Sequence, residues 1–568
     1  MKSPAKVNVN NIFDGSVIYR APVFQRYYVW GQDQLDSLLT DISDIESIEE
    51  TQFLGAVVLQ EMGKTDGVIG SMEYLIIDGQ QRLTTLFLIM AATAKAFREN
   101  GCYKDSEGIV SSYLTRDAGG QKGIPKVVPT TQDRKQFYDV LKEAAPEVEW
   151  DFSTYPVDEK SAPTKLKLQW RRIDKWINDE FKPSKRLRVK SLRGFINKLL
   201  KGLDFVEITL DKGDDANVVF TKLNFEGTPL ALSDLVRNDV FSRFSSGESN
   251  KANRFYEQKW HPFETSFPGD SFDKYIPIYS YIKFHGKIPK SRAFPELQES
   301  WSNKTAKRVL DDLSLYSPYF QSLWSYKPIS GLSKGLNECV RRFSIMPKTS
   351  VTWPFIIRVL YEAGNGGLSN GKAKKTLEIV ESFLVRRAVV GMEPTGLHAV
   401  FKSLWEKTKG DPKLVVEKIQ TTTIHCPVDE DVLKVVAEER LDKRQILKYL
   451  LTRLEEDYVN DNKFDSTTAN MTYEHVLPRN LTPEWRRVFT REEHSLLVGK
   501  VGNLVPLTKG QNSSFKDSSW DKKRKMMRGS NWKITQHVAR KSRWTPQTIK
   551  RRTTDIGNWI VGNWKALE

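Results

Sequence analysis

The chain has 568 residues, 39% of them hydrophobic and 28% charged, and a net charge of +16. That length exceeds one hydrophobic core and predicts two or three domains, and the composition excludes a disordered chain. No apolar run approaches the roughly 20 residues that span a bilayer. The first residues, MKSPAKVNVNNIF, carry no apolar signal segment. Cys102, Cys339 and Cys426 are too few and too far apart for a disulfide framework or a zinc cluster, so a cytoplasmic protein without a membrane partner is expected. The charge is uneven: residues 471–568 hold 20 Lys/Arg against 8 Asp/Glu, a net of +12 that leaves +4 for everything before them. A basic end on a near-neutral body points to a polyanion, most simply nucleic acid.

Residues 8–100 read as α/β. Ala56-Val57-Val58-Leu59 and Tyr74-Leu75-Ile76-Ile77 are strand-like runs, and Leu83, Leu86, Phe87, Met90, Ala94 and Phe97 recur at helical spacing. Asp78-Gly79-Gln80 therefore falls at a strand-to-helix turn. Residues 101–165, rich in Gly, Pro and Lys, read as an exposed insertion or lid. LDFVEITL at 203–210 reads as a strand, with a helix near 217–223 and a turn at Asn224-Phe225-Glu226-Gly227. Ser233 reads as the N-cap of a helix through Phe241, with Asp234 in its first turn. Residues 250–455 read as mostly helical, with amphipathic segments at 375–389 and 429–457, and the polar run 460–470 reads as a linker. The predicted division is 1–245, a helical region 246–459, and 460–568.

A turn that leaves a strand and opens a helix offers unpaired N–H groups and the positive end of the helix dipole to an anion. Gly79 lets the backbone approach a ligand, and Arg82 supplies a forked phosphate donor. Asp78 could hold magnesium or a water, while Gln80 and Gln81 could orient a nucleophilic water or read a base. Gln25-Arg26-Tyr27-Tyr28-Val29-Trp30 adds a second Gln-Arg pair and an aromatic strip, and Asn224 a further polar turn. Each has a plainer reading: Arg82 pairs with Asp78, and Tyr28 and Trp30 are core. FQRYYVW, IIDGQQRLTTL and FTKLNFEGTPLALSDLVRNDVF together resemble the DUF262 domain over about residues 8–245, with Tyr27 where that family has proline. The resemblance implies a ParB/sulfiredoxin-like α/β fold that binds and hydrolyses a nucleoside triphosphate, GTP or another, at Asp78, Gly79, Gln80, Gln81, Arg82 and Asn224.

Near the other end, Tyr473-Glu474-His475-Val476-Leu477-Pro478 is followed by Gly502-Asn503-Leu504 and by Asn512. Phosphodiester cleavage needs an activated water and a stabilised leaving oxygen. A neutral histidine serves the first need and a divalent metal on hard oxygen ligands the second. VGNLVPL reads as the second strand of a hairpin, and 515–527 as a helix whose basic face carries Lys516, Lys522, Lys523, Arg524 and Lys525. Trp520, Trp532, Trp544, Trp559 and Trp564 read as core rather than base-stacking platforms. The order gives a ββα-metal unit, and EHVLPRN…VGNLVPLTKGQN is similar to the DUF1524 HNH domain over about 440–568. By that resemblance His475 is the general base and Glu474 and Asn512 are ligands of Mg²⁺ or Mn²⁺. Asn503 positions the His475 ring, and Lys522, Lys523, Arg524 and Lys525 meet DNA phosphates.

A DUF262 domain followed by a DUF1524 domain resembles the GmrSD-like modification-dependent restriction proteins, including the phosphorothioate-sensing nuclease of the Ssp system. The expectation is an α+β multidomain, anti-phage endonuclease or nickase acting on modified double-stranded DNA under NTPase control. Phosphorothioate sensing through Gln25, Arg26, Tyr27, Tyr28 and Trp30 is preferred to glucosyl-hydroxymethylcytosine sensing. A nucleotide-regulated scaffold with an inactive HNH unit and an RNA-cleaving toxin are the other readings, and a homo-oligomer is left open.

Overall fold

The computed structural model describes residues 4–22, 25–45, 51–64, 72–116, 123–157, 164–183, 186–211, 231–244, 248–269, 271–347, 351–421, 424–459, 471–508 and 515–567. The chain divides into two compact units, Met1–Ser266 with Gln298–Leu310, and Phe267–Leu297 with Asp311–Glu568. The helix near 217–223, the turn at Asn224, the linker 460–470 and Asn512 lie outside the described residues.

The first unit is built on a mixed six-stranded sheet. Its strands are β1 (Ala5–Asn8), β2 (Val17–Arg20), β3 (Gln52–Lys64), β4 (Met72–Asp78), β5 (Val127–Val128) and β6 (Leu203–Leu210), in the order β1-β6-β3-β4-β2-β5. β3 runs antiparallel to β4 and parallel to β6, and β2 runs parallel to β4 and β5. Helix α1 (Gln80–Glu99) leaves β4 through Gly79, the strand-to-helix turn read from the sequence. Leu83, Leu86, Phe87, Met90, Ala94 and Phe97 are all buried, but so is nearly every residue between them. The helix is enclosed on all sides, as a helix apolar all round must be.

One expectation is corrected here. The segment 101–165 is not an exposed lid: helix α2 (Thr131–Ala144) buries Phe137, Tyr138, Val140 and Leu141 in the sheet core, and Tyr138 stacks on Phe152 at 3.8 Å. Helix α3 (Leu166–Phe181) adds Trp170, Ile173 and Ile177 to the same core. Helix α4 (Leu232–Phe241) begins two residues earlier than read, with Ala231 at the N-cap and Ser233 buried inside the first turn.

The second unit takes in most of the helical middle together with the basic C-terminal segment. Buried polar groups join the two stretches. Arg386, on helix α5 (Asn370–Val390), is fully buried and donates to the Pro427 and Trp564 carbonyls, each at 2.6 Å, and to Asp429 at 2.7 Å. Glu455 accepts from the backbone N–H groups of Lys533 (2.5 Å) and Ile534 (2.8 Å). A buried charge so placed is stable only with its partners in position. The amphipathic run 429–457 is two helices, α6 (Asp429–Glu438) and α7 (Leu447–Tyr458). The break follows Glu439, which is extended, and the N–H groups of Leu441 and Asp442 turn to the Gly499 carbonyl.

Beyond it, β7 (Met471–His475) and β8 (Leu504–Thr508) form an antiparallel ribbon with His475 opposite Leu504. Val476, Leu477, Val505, Leu507, Met527 and Trp544 make the small core beneath it, and Trp532 and Trp564 are buried too, the core role read for these three tryptophans, while Trp520 and Trp559 are half-buried. Among the described residues no helix is long and apolar enough to cross a membrane. Arg386→Met would strip two carbonyls and one carboxylate of their donor. It is expected to destabilise the chain by about 2–4 kcal/mol, read as a lowered thermal midpoint.

Candidate functional site

At the end of β7 three consecutive features meet. The backbone carries His475 opposite Leu504, with Glu474 opposite Val505. Helix α8 (Trp520–Arg528) lies against them, and the join is one side chain. Lys523 is fully buried and donates to Glu474 Oε1 and to the His475 carbonyl, both at 2.6 Å. Burial pushes the Glu474 carboxyl up and the Lys523 ammonium down, and each partly offsets the other's shift. Lys523 is therefore a strut and not the phosphate contact expected of it. Arg524 is half-buried and donates to the Ala539 carbonyl at 3.1 Å, while Lys522 and Lys525 are exposed. The helix starts at 520 and not 515, because Lys516 sits at φ 39, a left-handed conformation that ends a helix.

Asn503 is also reassigned. Its Oδ1 accepts from Leu477 N–H (2.7 Å) and Trp544 Nε1–H (3.2 Å), and its Nδ2 donates to the Leu477 and Val498 carbonyls, both at 2.9 Å. Those four bonds fill a carboxamide. Asn503 holds the loop that follows His475, not the ring. The ring's partner is Asp442, which no sequence motif picked out: His475 Nε2 is 3.2 Å from Asp442 Oδ2. Asp442 comes from the break between α6 and α7, so only the mismatch between a continuous helical pattern and a real interruption could have signalled it. Burial pushes the Asp442 carboxyl up, but Arg440 and His475 outweigh it and hold it below the usual range. Burial, with Arg479 and Lys523 nearby, lowers the His475 pKa to about 4 against the pull of Asp442. The imidazole is neutral at working pH, as a proton acceptor must be.

A cation in this place would need hard oxygen donors. Glu474 has one oxygen on Lys523 and a second oxygen outside that pair, and Asp517 is near enough to raise its pKa further. Among the described residues no three of His, Cys, Asp and Glu gather into a metal-holding group.

In the first unit the turn at 78–82 is formed as read. Gly79 has φ +93, and a Cβ there would meet Val57 Cγ2 at 3.0 Å, so only glycine suits the position. Arg82 is turned inward. It donates to the Leu54 carbonyl, to the Ala56 carbonyl at 2.7 Å, and lies 3.6 Å from Asp78. Gly55 makes room for it, since a Cβ there would fall 2.5 Å from Arg82 Nη1. Burial raises the Asp78 pKa, with Arg82, the Gly79 N–H and Arg26 opposing.

Gln81 is a brace: Oε1 accepts from Val29 N–H at 2.9 Å and Nε2 donates to the Tyr27 carbonyl at 3.3 Å. Gln25 donates to the Ile77 carbonyl at 2.7 Å, and Arg26 faces Asp234 at 3.7 Å. Tyr28 is core, 1% exposed, with its hydroxyl 2.6 Å from Thr85 Oγ1, and Trp30 packs on the same core. Tyr28 is thereby removed from the pocket-lining set. Gln80 differs from all of these: it is 4% exposed, and among the described residues neither Nε2 nor Oε1 has a hydrogen-bond partner. A buried carboxamide with both ends unmet is costly unless a ligand or water meets it.

Residues 9–241 match the family described as GmrSD restriction endonuclease, N-terminal domain, and residues 427–559 match the GmrSD restriction endonucleases, C-terminal domain. No curated protein matches the chain.

Lys523→Met would leave Glu474 without its cation and the His475 carbonyl without its donor. A loss of about 3–5 kcal/mol is expected, against no measurable change for Lys522→Met, with thermal denaturation of the two full-length variants as the check.

Proposed function

Because the chain belongs to the GmrSD restriction endonuclease family, whose members are modification-dependent nucleases acting on DNA, we propose that His475 is the general base of a metal-assisted DNA cleavage governed by a nucleoside triphosphatase in the first unit. The observation that carries the reading is the pairing at the end of β7: a neutral, buried imidazole beside a carboxylate whose own burial favours a cation. A HNH-like ββα reading of β7, β8 and α8 agrees with that order of elements.

Glu474 and Asn512 would hold a divalent ion, Mg²⁺ or Mn²⁺, which supplies charge stabilisation at the leaving oxygen. His475 takes a proton from water, and the oxygen so activated attacks the phosphorus as its bond to the leaving sugar oxygen breaks, that oxygen taking a proton from solvent. Lys523 keeps Glu474 and the His475 backbone at a fixed separation. Asn503 keeps the chain after His475 from moving the ring. Exposed Lys522 and Lys525 are suited to the flanking phosphates.

For the first unit, the proposed triphosphate site is the N-terminus of α1. Gln80 brings an unmet donor and acceptor, Gly79 an approach without a side chain, and Asp78 a carboxylate whose raised pKa invites a cation. Arg82 and Gln81 act there by shaping the turn, since their polar groups already hold protein atoms. Phosphorothioate remains the preferred modification, sensed where Arg26 stands beside Tyr27; Tyr28 no longer contributes.

His475→Ala is expected to lower cleavage of modified plasmid by at least about 10³-fold while nucleoside triphosphate hydrolysis continues. Gln80→Leu is expected to remove hydrolysis and with it the nucleotide's control of cleavage, while the His475 centre stays intact; cleavage and phosphate-release assays on the same preparations, with and without nucleotide, separate them. The base form of His475 is lost only as pH falls through about 4, so kcat/KM should hold from neutrality to near pH 5, where an ordinary histidine with pKa 6.5 would already have lost it. Phosphorothioate, glucosyl-hydroxymethylcytosine and unmodified duplexes in parallel test the sensing; equal cleavage of all three would reject it.

A further inference from the structure

An imidazole can act as base only through the nitrogen that lacks a proton, and in this fold one contact decides which nitrogen that is. The Asp442 side chain is fully buried and grips the fork of Arg440, at 2.7 Å from Oδ2 to Nη2 and 3.1 Å from Oδ1 to Nε. Its Oδ2 also faces His475 Nε2 at 3.2 Å. A carboxylate so paired accepts hydrogen bonds and donates none. The proton between Asp442 and the ring must then sit on Nε2. Nδ1 keeps its lone pair, and among the described residues no protein group hydrogen-bonds to it.

The segment that carries Asp442 is fixed at several points. Leu441 and Asp442 both donate backbone N–H to the Gly499 carbonyl, at 2.9 and 3.3 Å. Tyr473, two residues before His475 on β7, donates its hydroxyl to the Asp442 carbonyl at 2.6 Å. Gly499 has no side chain to obstruct the pair; a Cβ there would fall 2.7 Å from Asp442 Oδ1 and 2.3 Å from Arg440 Nε. Leu441 is wholly buried beside them. An ion pair needed only for surface stability would not require the backbone on either side of it, and a glycine opposite it, to be committed to its placement.

We infer that Asp442, delivered by the break between α6 and α7, is the positioning residue that locks His475 in its Nε2–H form and aims Nδ1 at the water. The ribbon and α8 then do not complete the cleavage centre by themselves; the stretch 439–442 ahead of them does. This rests on the proposed role of His475 as base. It adds the tautomer, the partner of the protonated nitrogen and the element that supplies it. Positioning groups behind a working histidine contribute about 10–100-fold when removed, and an aspartate-to-asparagine change acts by admitting the wrong tautomer.

The test uses the full-length chain with Mg²⁺ and a modified plasmid. Asp442→Asn is expected to lower kcat about 10–100-fold with KM within about twofold and nucleoside triphosphate hydrolysis unchanged. Nitrogen-15 spectra of the histidines, assigned by loss of one ring in His475→Ala, are expected to show His475 protonated on Nε2 in the wild type. In Asp442→Asn they should show a mixture. Wild-type kcat in Asp442→Asn while His475→Ala is inactive overturns the inference alone. Cleavage by His475→Ala overturns the parent reading and the inference with it. Should Asp442→Asn not fold, the wild-type spectrum still decides, since a ring protonated on Nδ1 overturns the assignment.

Discussion

The Lys523 ammonium is the point on which the C-terminal centre depends. It reaches from α8 to two groups of β7, a side-chain carboxylate and the next residue's carbonyl, in a place with no solvent. An ammonium stripped of water is tolerated only where such acceptors replace it, so helix and strand can meet in one register only. That register sets Glu474 and His475 side by side. Remove the cation and the carboxylate is left unpaired at 12% side-chain exposure, with Asp517 close by to repel it. The geometry of the site and the stability of the domain are thus the same interaction seen from two sides.

The two candidate sites share a pattern. In each, most of the polar residues that look chemical in the sequence hold the scaffold, and a minority face outward with capacity left over. Arg82, Gln81 and Gln25 tie the 25–30 loop, β3 and β4 to the start of α1, and Gln80 alone keeps both ends of its amide unmet. At the other end Asn503 and Lys523 are fully engaged, while His475 Nδ1 and the second Glu474 oxygen are not tied by the strut or the clamp. A preorganised site needs this division, because groups aimed at a reacting atom must be held by others that do not move.

Local signals carried much of this and stopped where tertiary packing took over. The strand 203–210, the Gly79 turn and the ribbon around His475 were legible, since alternation, a glycine and a proline act within a few residues. The residues 101–165 were misjudged because Phe137, Tyr138 and Leu141 are spaced among lysines and prolines that dilute the periodic signal, although they complete a large core. Lys523 could not be told from Lys522 by composition, as only the helical phase turns one inward. Asp442 was hidden for a further reason. The pattern over 429–457 is helical throughout, and what interrupts it is a carbonyl some sixty residues later, Gly499, that draws two N–H groups out of the helix. No window of sequence contains both ends of that competition.

The excess of basic charge at the C-terminus must be divided in the same way before it is assigned to DNA. Lys523 is interior, and Arg552, on helix α9 (Pro546–Asn563), is half-buried, donating to the Val501, Gly502 and Leu504 carbonyls. Burial lowers its pKa to about 10, which still leaves it charged at neutral pH, and its Nη2 is buried without a partner. These two cations contact no phosphate. They sit in a medium of low dielectric behind β7 and β8, where a charge is screened far less than at the surface. Lys522, Lys525, Lys550 and Arg551 are exposed, where the attraction of a cation for a polyanion weakens as salt rises. Lys523 acts through the protein, disfavouring a proton on His475 while its own charge is matched by Glu474. The interior charge that fixes α8 on β7 thereby also keeps the imidazole beside it in the form that can accept a proton.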